Sequence, residues 1–135
     1  MAAKKRTYQP KMFESTQTSK DTSANIYLSM LTSSAWKDLS NNSRVVYLDM
    51  KSQYYGQKKV KEPDENGNIK EFDQECFYFN WGIARDVFGI KNPTQLNKDI
   101  KSLIEHGFVE IVKNGKNTRT KSVYKLSDKW QKWNV

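Results

Sequence analysis

Polar positions hold the first stretch of the chain. Residues 1 to 24 carry Lys4, Lys5, Arg6, Lys11 and Lys20 against two acids, among scattered Ser and Thr and with no apolar period. Such a stretch reads as a basic arm that stays flexible until it meets a partner. From Asn25 the apolar residues thicken. "IYLSM" reads as a short extended piece. "TSSAWKDL" reads as a short helix, with Thr32 or Ser33 as N-cap and Ala35, Trp36 and Leu39 turned inward. "SNNS", 40 to 43, breaks that helix and caps the next. The spacing then predicts a helix over 44–55, "RVVYLDMKSQYY", with Val45, Val46, Leu48, Met50, Tyr54 and Tyr55 on a broad apolar side.

The pattern changes at residues 57 to 75, a charged, slightly acidic segment centred on Asn-Gly. That dipeptide between Val60 and Ile69 signals a hairpin turn, because both central residues must tolerate positive φ. The segment "DENGN" lacks the alternating acids and the sixth-position glycine of a calcium loop, so calcium is not expected. "CFYF" is a compact β-type run, and Asn80 caps a helix that buries Trp81, Ile83, Ala84, Val87 and Phe88. Gly89 ends it with a residue that accepts left-handed geometry, and Ile90 plugs the turn. Asn92 caps the next helix and Pro93 takes its first position, where a missing N–H costs nothing. That helix runs to His106 and stops at Gly107. "FVEIV" and "SVYKL" are period-2 strands joined by "KNGKNTRTK".

From Cys76 onward the order is therefore strand, helix, short turn, helix, strand, basic loop, strand. Two helices joined by about four residues and followed by a hairpin describe a winged helix-turn-helix. The expected fold class is α+β, mainly helical, with a small antiparallel wing hairpin and an inserted hairpin at about 57–75. At 135 residues, one domain over 25–135 behind the arm of 1–24 is the simplest organisation.

Composition sharpens this picture at one point. Lys plus Arg number 23 against 15 Asp plus Glu, a formal charge of +8, which favours a polyanionic partner. The helix after Pro93 places Leu96, Ile100, Leu103 and Ile104 on one face at 100° per residue. Its opposite face presents Thr94, Gln95, Lys98, Lys101 and Ser102, with Asn97 at the edge and Glu105 at the far end. Gln and Asn pair with adenine edges, and Lys with guanine acceptors or phosphate. The loop beyond it carries Lys113, Lys116, Arg119 and Lys121 within nine residues, with Asn114 and Asn117 between them and no acid. A hairpin tip so cationic self-repels, which suits a phosphate backbone or a minor groove better than a purely structural turn. Lys4, Lys5 and Arg6 supply a possible further clamp. Double-stranded DNA is accordingly the expected partner.

Other chemistry finds little support. With one His and one Cys, a four-ligand Cys/His metal site cannot be assembled, so neither metal nor cofactor is expected. His106 at a helix C-terminus is explained by the partial negative charge there. Cys76 beside "FYF" reads as a small buried residue. No phosphate-binding glycine motif is present, and an enzyme is not expected. No apolar run approaches a membrane span and no secretory h-region follows the N-terminal charges, so a cytoplasmic, membrane-independent protein is expected. Trp130 and Trp133 must bury one side of a helical stub, either on the helix of 44–55 or at a dimer contact; monomer and homodimer both remain open.

Several of these segments resemble a known family. "LSNNSRVVY" is similar to the helix start "Leu-Ser-x-x-Ala-Lys-x-x-Tyr" in the amino-terminal domains of plasmid replication initiators of the RepA amino-terminal type. "DENGN", a following strand, "IKNPTQLNKDIKSLIEHGFVE" and "VYKL" continue in the same order, over about residues 28 to 126. The resemblance extends to small winged-helix proteins of phages and conjugative plasmids. It implies a winged helix and site-specific DNA binding through Thr94, Gln95, Asn97, Lys98 and Lys101 and the wing from Lys113 to Lys121. Nothing follows the winged domain here, so the resemblance implies a transcriptional regulator or an accessory factor of replication or conjugative transfer, with other replication or transfer proteins as partners, rather than an autonomous initiator. A winged-helix scaffold for protein interaction, with only non-specific DNA affinity, is the alternative.

Overall fold

The computed structural model describes residues 10–16, 23–56, 61–63, 66, 69–71, 76–113 and 122–134. They form α1 (Leu28–Leu31), α2 (Ser34–Asp38), α3 (Asn41–Gly56), β1 (Lys61–Pro63), β2 (Ile69–Glu71), β3 (Cys76–Tyr78), α4 (Trp81–Asp86), α5 (Pro93–Glu105), β4 (Val109–Lys113), β5 (Val123–Leu126) and a closing 3-10 turn at Lys129–Lys132. The fold is α+β: helices pack around a three-stranded antiparallel sheet, and β1 and β2 pair separately.

Serine side chains set the first helix boundaries. Ser33 Oγ accepts the Trp36 N–H at 3.2 Å and starts α2. Ser40 Oγ accepts the Ser43 N–H at 3.1 Å, so α3 begins at Asn41, three residues before the expected 44. "SNNS" is thus a cap and a first turn, not a four-residue break. "IYLSM" departs from expectation too. Leu28–Leu31 makes one helical turn instead of an extended piece, closed by Thr32, whose hydroxyl donates to the Leu28 carbonyl at 2.9 Å. Arg44 clamps α2 to α3 by donating through Nε and Nη2 to the Trp36 carbonyl at 3.2 and 3.1 Å, with its guanidinium over the Trp36 ring.

The inward side of α3 is narrower than its composition suggests. Val46, Tyr47 and Met50 are buried, whereas Val45, Leu48 and Tyr55 are exposed. Helix-period counting admits all the apolar residues within a wide arc, but β3 and α5 cover only the central stripe. The same correction applies to Val87, which lies exposed just beyond α4, and to Ile104, at the edge of α5's buried face.

In the larger sheet the order is β3-β5-β4, all antiparallel, with Phe77 opposite Tyr124 and Val109 opposite Leu126. A bulge falls between Ile111 and Lys113. In the smaller sheet Lys61 pairs with Glu71 and Pro63 with Ile69. Five residues separate those strands, so the inserted hairpin is real but its connection is longer than the two-residue turn that Asn-Gly alone signals.

The core centres on Phe108, which is fully buried where α5 gives way to β4. Its ring meets Trp36 and Tyr47 edge-on, at centroid distances of 5.7 and 5.2 Å, and stacks on Trp130 at 5.9 Å. Trp133 stacks on His106 at 4.7 Å. The two tryptophans therefore pack within the chain, against the end of α5 and beside α2, and not primarily on α3. Gly107 makes this possible. It adopts φ +83°, and a Cβ there would lie 2.6 Å from the Trp130 backbone nitrogen, which donates to the Gly107 carbonyl at 3.0 Å. Gly89, at φ +73°, has open space around its missing Cβ.

These two glycines separate conformational strain from collision. Gly89→Ala should cost about 1–2 kcal/mol, the usual penalty for an L-residue in the left-handed region. Gly107→Ala should cost at least twice as much by urea denaturation, because it must also push the Trp130 backbone away. A second expectation concerns pH. Burial pushes the Asp49 carboxyl up to about 6, so folding favours its neutral form. Its contribution to stability is complete below the unfolded value near 3.8 and is lost as pH rises through about 6. Asp49→Asn should flatten the fall in melting temperature across that window and raise the melting temperature at pH 7.

Candidate nucleic-acid interface

The segment from α4 to β5 builds one exposed surface. Asn80 Oδ1 accepts the Ile83 N–H at 2.8 Å and starts α4. At its other end the Gly89 and Ile90 N–H groups bond back to the Arg85 and Ala84 carbonyls, closing a tight turn. Asn92 Oδ1 then accepts the Gln95 N–H at 3.0 Å, and Pro93 opens α5. Leu96, Ile100 and Leu103 bury one side of α5 against the core, while Gly107 and Phe108 hand the chain to β4.

Burial of α5 leaves a defined outer stripe. Thr94, Asn97, Lys98 and Lys101 are all exposed on it, with Glu105 at the far end and Lys91 just before the helix. Gln95 and Ser102 are half-buried at its margin. Gln95 is also engaged: its Nε2 donates to Asp99 Oδ1 at 3.1 Å. Ser102 gives its backbone carbonyl to His106 Nδ1 at 2.8 Å, while its hydroxyl lies 3.5 Å from that nitrogen. Four of the six expected helix residues thus share the open face, and two lie beside it.

Asp99 is the residue that sequence reasoning missed. It is 4% exposed, and its Oδ1 accepts from Ser43 Oγ at 3.0 Å as well as from Gln95. Ser43 in turn accepts from the Ser40 hydroxyl at 3.0 Å. A polar chain therefore runs from the cap of α3 to the middle of α5. It fixes how α5 sits on α3, because a buried carboxylate tolerates few geometries without its donors. The available signal was positional: Asp99 lies one turn after Gln95 and one turn before the buried Leu103, on the boundary between the polar and apolar arcs.

His106 anchors the other end of α5. Nδ1 faces the Ser102 carbonyl and Nε2 lies 2.8 Å from Asp38 Oδ2 in α2. The ring is spent on joining two helices. On β4, Glu110 pairs with Lys129 at 2.6 Å, and this hydrogen bond holds its carboxyl below the usual range.

Three residues separate α5 from β4, and residues 114–121 fall between β4 and β5 in the sequence. The expected wing residues Asn114, Lys116, Asn117, Arg119 and Lys121 lie outside the described residues, as does the side chain of Lys113. The same holds for Lys4, Lys5 and Arg6. The structure thus gives the two strands carrying the basic loop and their position beside α5. Among the described residues no group of three or more His, Cys, Asp or Glu side chains could hold a metal ion, and no helix is long and apolar enough to cross a membrane. Cys76 is buried in β3 opposite Lys125.

No protein-family model, curated protein or solved structure matches the chain.

Anchor and face should separate in a stability measurement. Asp99→Ala removes the acceptor shared by Ser43 and Gln95 and should cost about 1.5–3 kcal/mol in chemical denaturation. Lys98→Ala and Lys101→Ala, at exposed positions, should stay within about 0.5 kcal/mol of the parent.

Proposed function

We propose that this chain is a winged-helix protein that binds double-stranded DNA, with α5 entering the major groove and residues 114–121 forming the wing. The element order supports it: α3, β3, α4, a tight turn, α5, β4 and β5, with the sheet arranged β3-β5-β4, is the order of a winged helix-turn-helix. The observation that carries the reading is the division of α5. Leu96, Ile100, Leu103 and the tethered Asp99 hold the helix from behind, and Thr94, Asn97, Lys98 and Lys101 stand in solvent on the outer side. A rigidly seated helix with amide, hydroxyl and ammonium groups on its open face suits a groove lined by base edges and phosphates.

Roles follow from position. Asn97 and Thr94, near the start of α5, take the base edges, and Lys98 and Lys101 take phosphate or guanine acceptors. Gln95 orients α5 through Asp99 and contributes at the margin of the interface. The wing cations and the basic arm grip the backbone. Together with the resemblance to plasmid initiator domains, these roles fit a regulator or an accessory factor of replication or conjugative transfer on a mobile element, working in the cytoplasm without a cofactor.

Purified protein should be titrated against labelled duplexes tiled across the DNA flanking its gene, near physiological salt and with excess unrelated DNA. One fragment should survive competition. Asn97→Ala should then cost about 1–3 kcal/mol on that fragment and relax preference at one base pair. Lys101→Ala should weaken all duplexes alike and lower the salt slope by about one. Retention of no fragment, with binding abolished by modest salt, would remove site-specific recognition and leave a protein-interaction scaffold.

A further inference from the structure

On the flank of α3 away from α5, a depression of about 370 Å³ opens between α1, α3, β5 and the closing 3-10 turn. Tyr27, Tyr47, Tyr54, Tyr55 and Trp130 form half of its lining, and Lys51 lies among them. Its size is that of a small-molecule site, and its lining combines aromatic surface with a few polar groups, as such sites do.

Lys51 has no structural explanation in this fold. Only 8% of it is exposed, yet its ammonium has no carboxylate partner and no hydrogen bond among the described residues. Its Nζ lies 5.8 Å from the centroid of the Tyr47 ring. Among the described residues no Asp or Glu lines the depression. Asp49, two residues earlier, points to nearly the opposite side of α3 at 100° per residue. The Tyr47 phenol, also buried, has no hydrogen-bond partner among the described residues. A buried cation and a buried phenol lining one depression, both without partners among the described residues, are costly for a fold whose other buried polar side chains among those residues, Ser43 and Asp99, satisfy one another. Burial accordingly lowers the pKa of Lys51 and pushes that of Tyr47 up to about 12.

We propose that this depression is a binding site for a small aromatic monocarboxylate, with Lys51 and the Tyr47 hydroxyl receiving the carboxylate and Trp130, Tyr54 and Tyr55 packing on the ring. One cation calls for one negative charge. A carboxylate accepts from both the ammonium and the phenol, and these bonds are strengthened by charge in a site partly withdrawn from water. Flat apolar walls select a planar ring in offset or edge contact. Tyr27 and Tyr55, exposed at the rim, leave the site open to entry.

The test is calorimetric titration of the full chain, without DNA, with 2-naphthoate and with its neutral isostere 2-naphthamide. The naphthoate should bind saturably at one site, at least about tenfold more tightly than the amide, as loss of a charge-assisted pair requires. Lys51→Met should abolish that preference. It should also leave the melting temperature unchanged or higher, because an apolar chain of similar length replaces an uncompensated cation. Tyr47→Phe, which keeps the ring, should weaken naphthoate several-fold and the amide less. Absence of saturable naphthoate binding, equal affinity for acid and amide, or full naphthoate affinity in Lys51→Met would each overturn the assignment. The acid–amide comparison uses the unaltered chain, so it decides even if a variant fails to fold. Because DNA is absent throughout, failure here leaves the DNA-binding proposal untouched.

Discussion

Burial of the Phe108 ring is the constraint from which most of the arrangement follows. Trp36 brings α2 to that ring, Tyr47 brings α3, and Trp130 brings the closing 3-10 turn. The residue sits between a helix and a strand, so its burial fixes where α5 ends and in what direction β4 leaves. The neighbouring Gly107 is part of the same solution. Only a residue without Cβ lets the 129–130 backbone close over the junction, and the bond from Trp130 N–H to the Gly107 carbonyl holds it there. Aromatic packing of this density leaves little freedom for the junction to pivot.

Everything proposed for the outer face of α5 depends on that immobility and on two polar attachments. Asp99 ties the middle of the helix to the cap of α3, and His106 ties its end to Asp38 of α2. Neither residue is on the exposed stripe. A binding face requires side chains held within a fraction of an ångström, and here the holding is done by groups that lie off the exposed stripe. β4 leaves the same junction and β5 pairs along it, so helix and hairpin strands share one foundation.

Local grammar was legible in the sequence, and long-range pairing was not. Asn80, Asn92, Pro93 and Gly89 act within a few residues of themselves, so their roles follow from spacing alone, as does the helix stop at Gly107 but not its contact with the 129–130 backbone. The helix pair, the hairpin strands and the buried Leu96, Ile100 and Leu103 followed from the same rules. Asp99 escaped because its explanation, Ser43, stands 56 residues away. Lys51 escaped for a similar reason: its neighbours come from α1, β5 and the closing turn. Val45 and Leu48 were over-read because periodicity tells which residues share a side, not how much of that side a neighbour covers. The start of α3 was misjudged because Asn41 and Asn42 look like breakers, although the first turn of a helix tolerates them once Ser40 is the cap.

The order of strands in the larger sheet carries a consequence for how the molecule comes into being. β5 lies between β3 and β4, and its pairing with β3 joins Cys76 to Lys125, 49 positions apart along the chain. During synthesis, β3 must therefore wait for β5 before it gains a neighbour. In that interval Phe77 and Phe79, both fully buried in the finished fold, lack part of their cover. Closing so long a loop is slow relative to forming α4 and α5 themselves, whose caps and turns are local. The nascent chain thus has α4 and α5 before it has the sheet, and the interval before β5 pairs is its period of greatest exposure to aggregation.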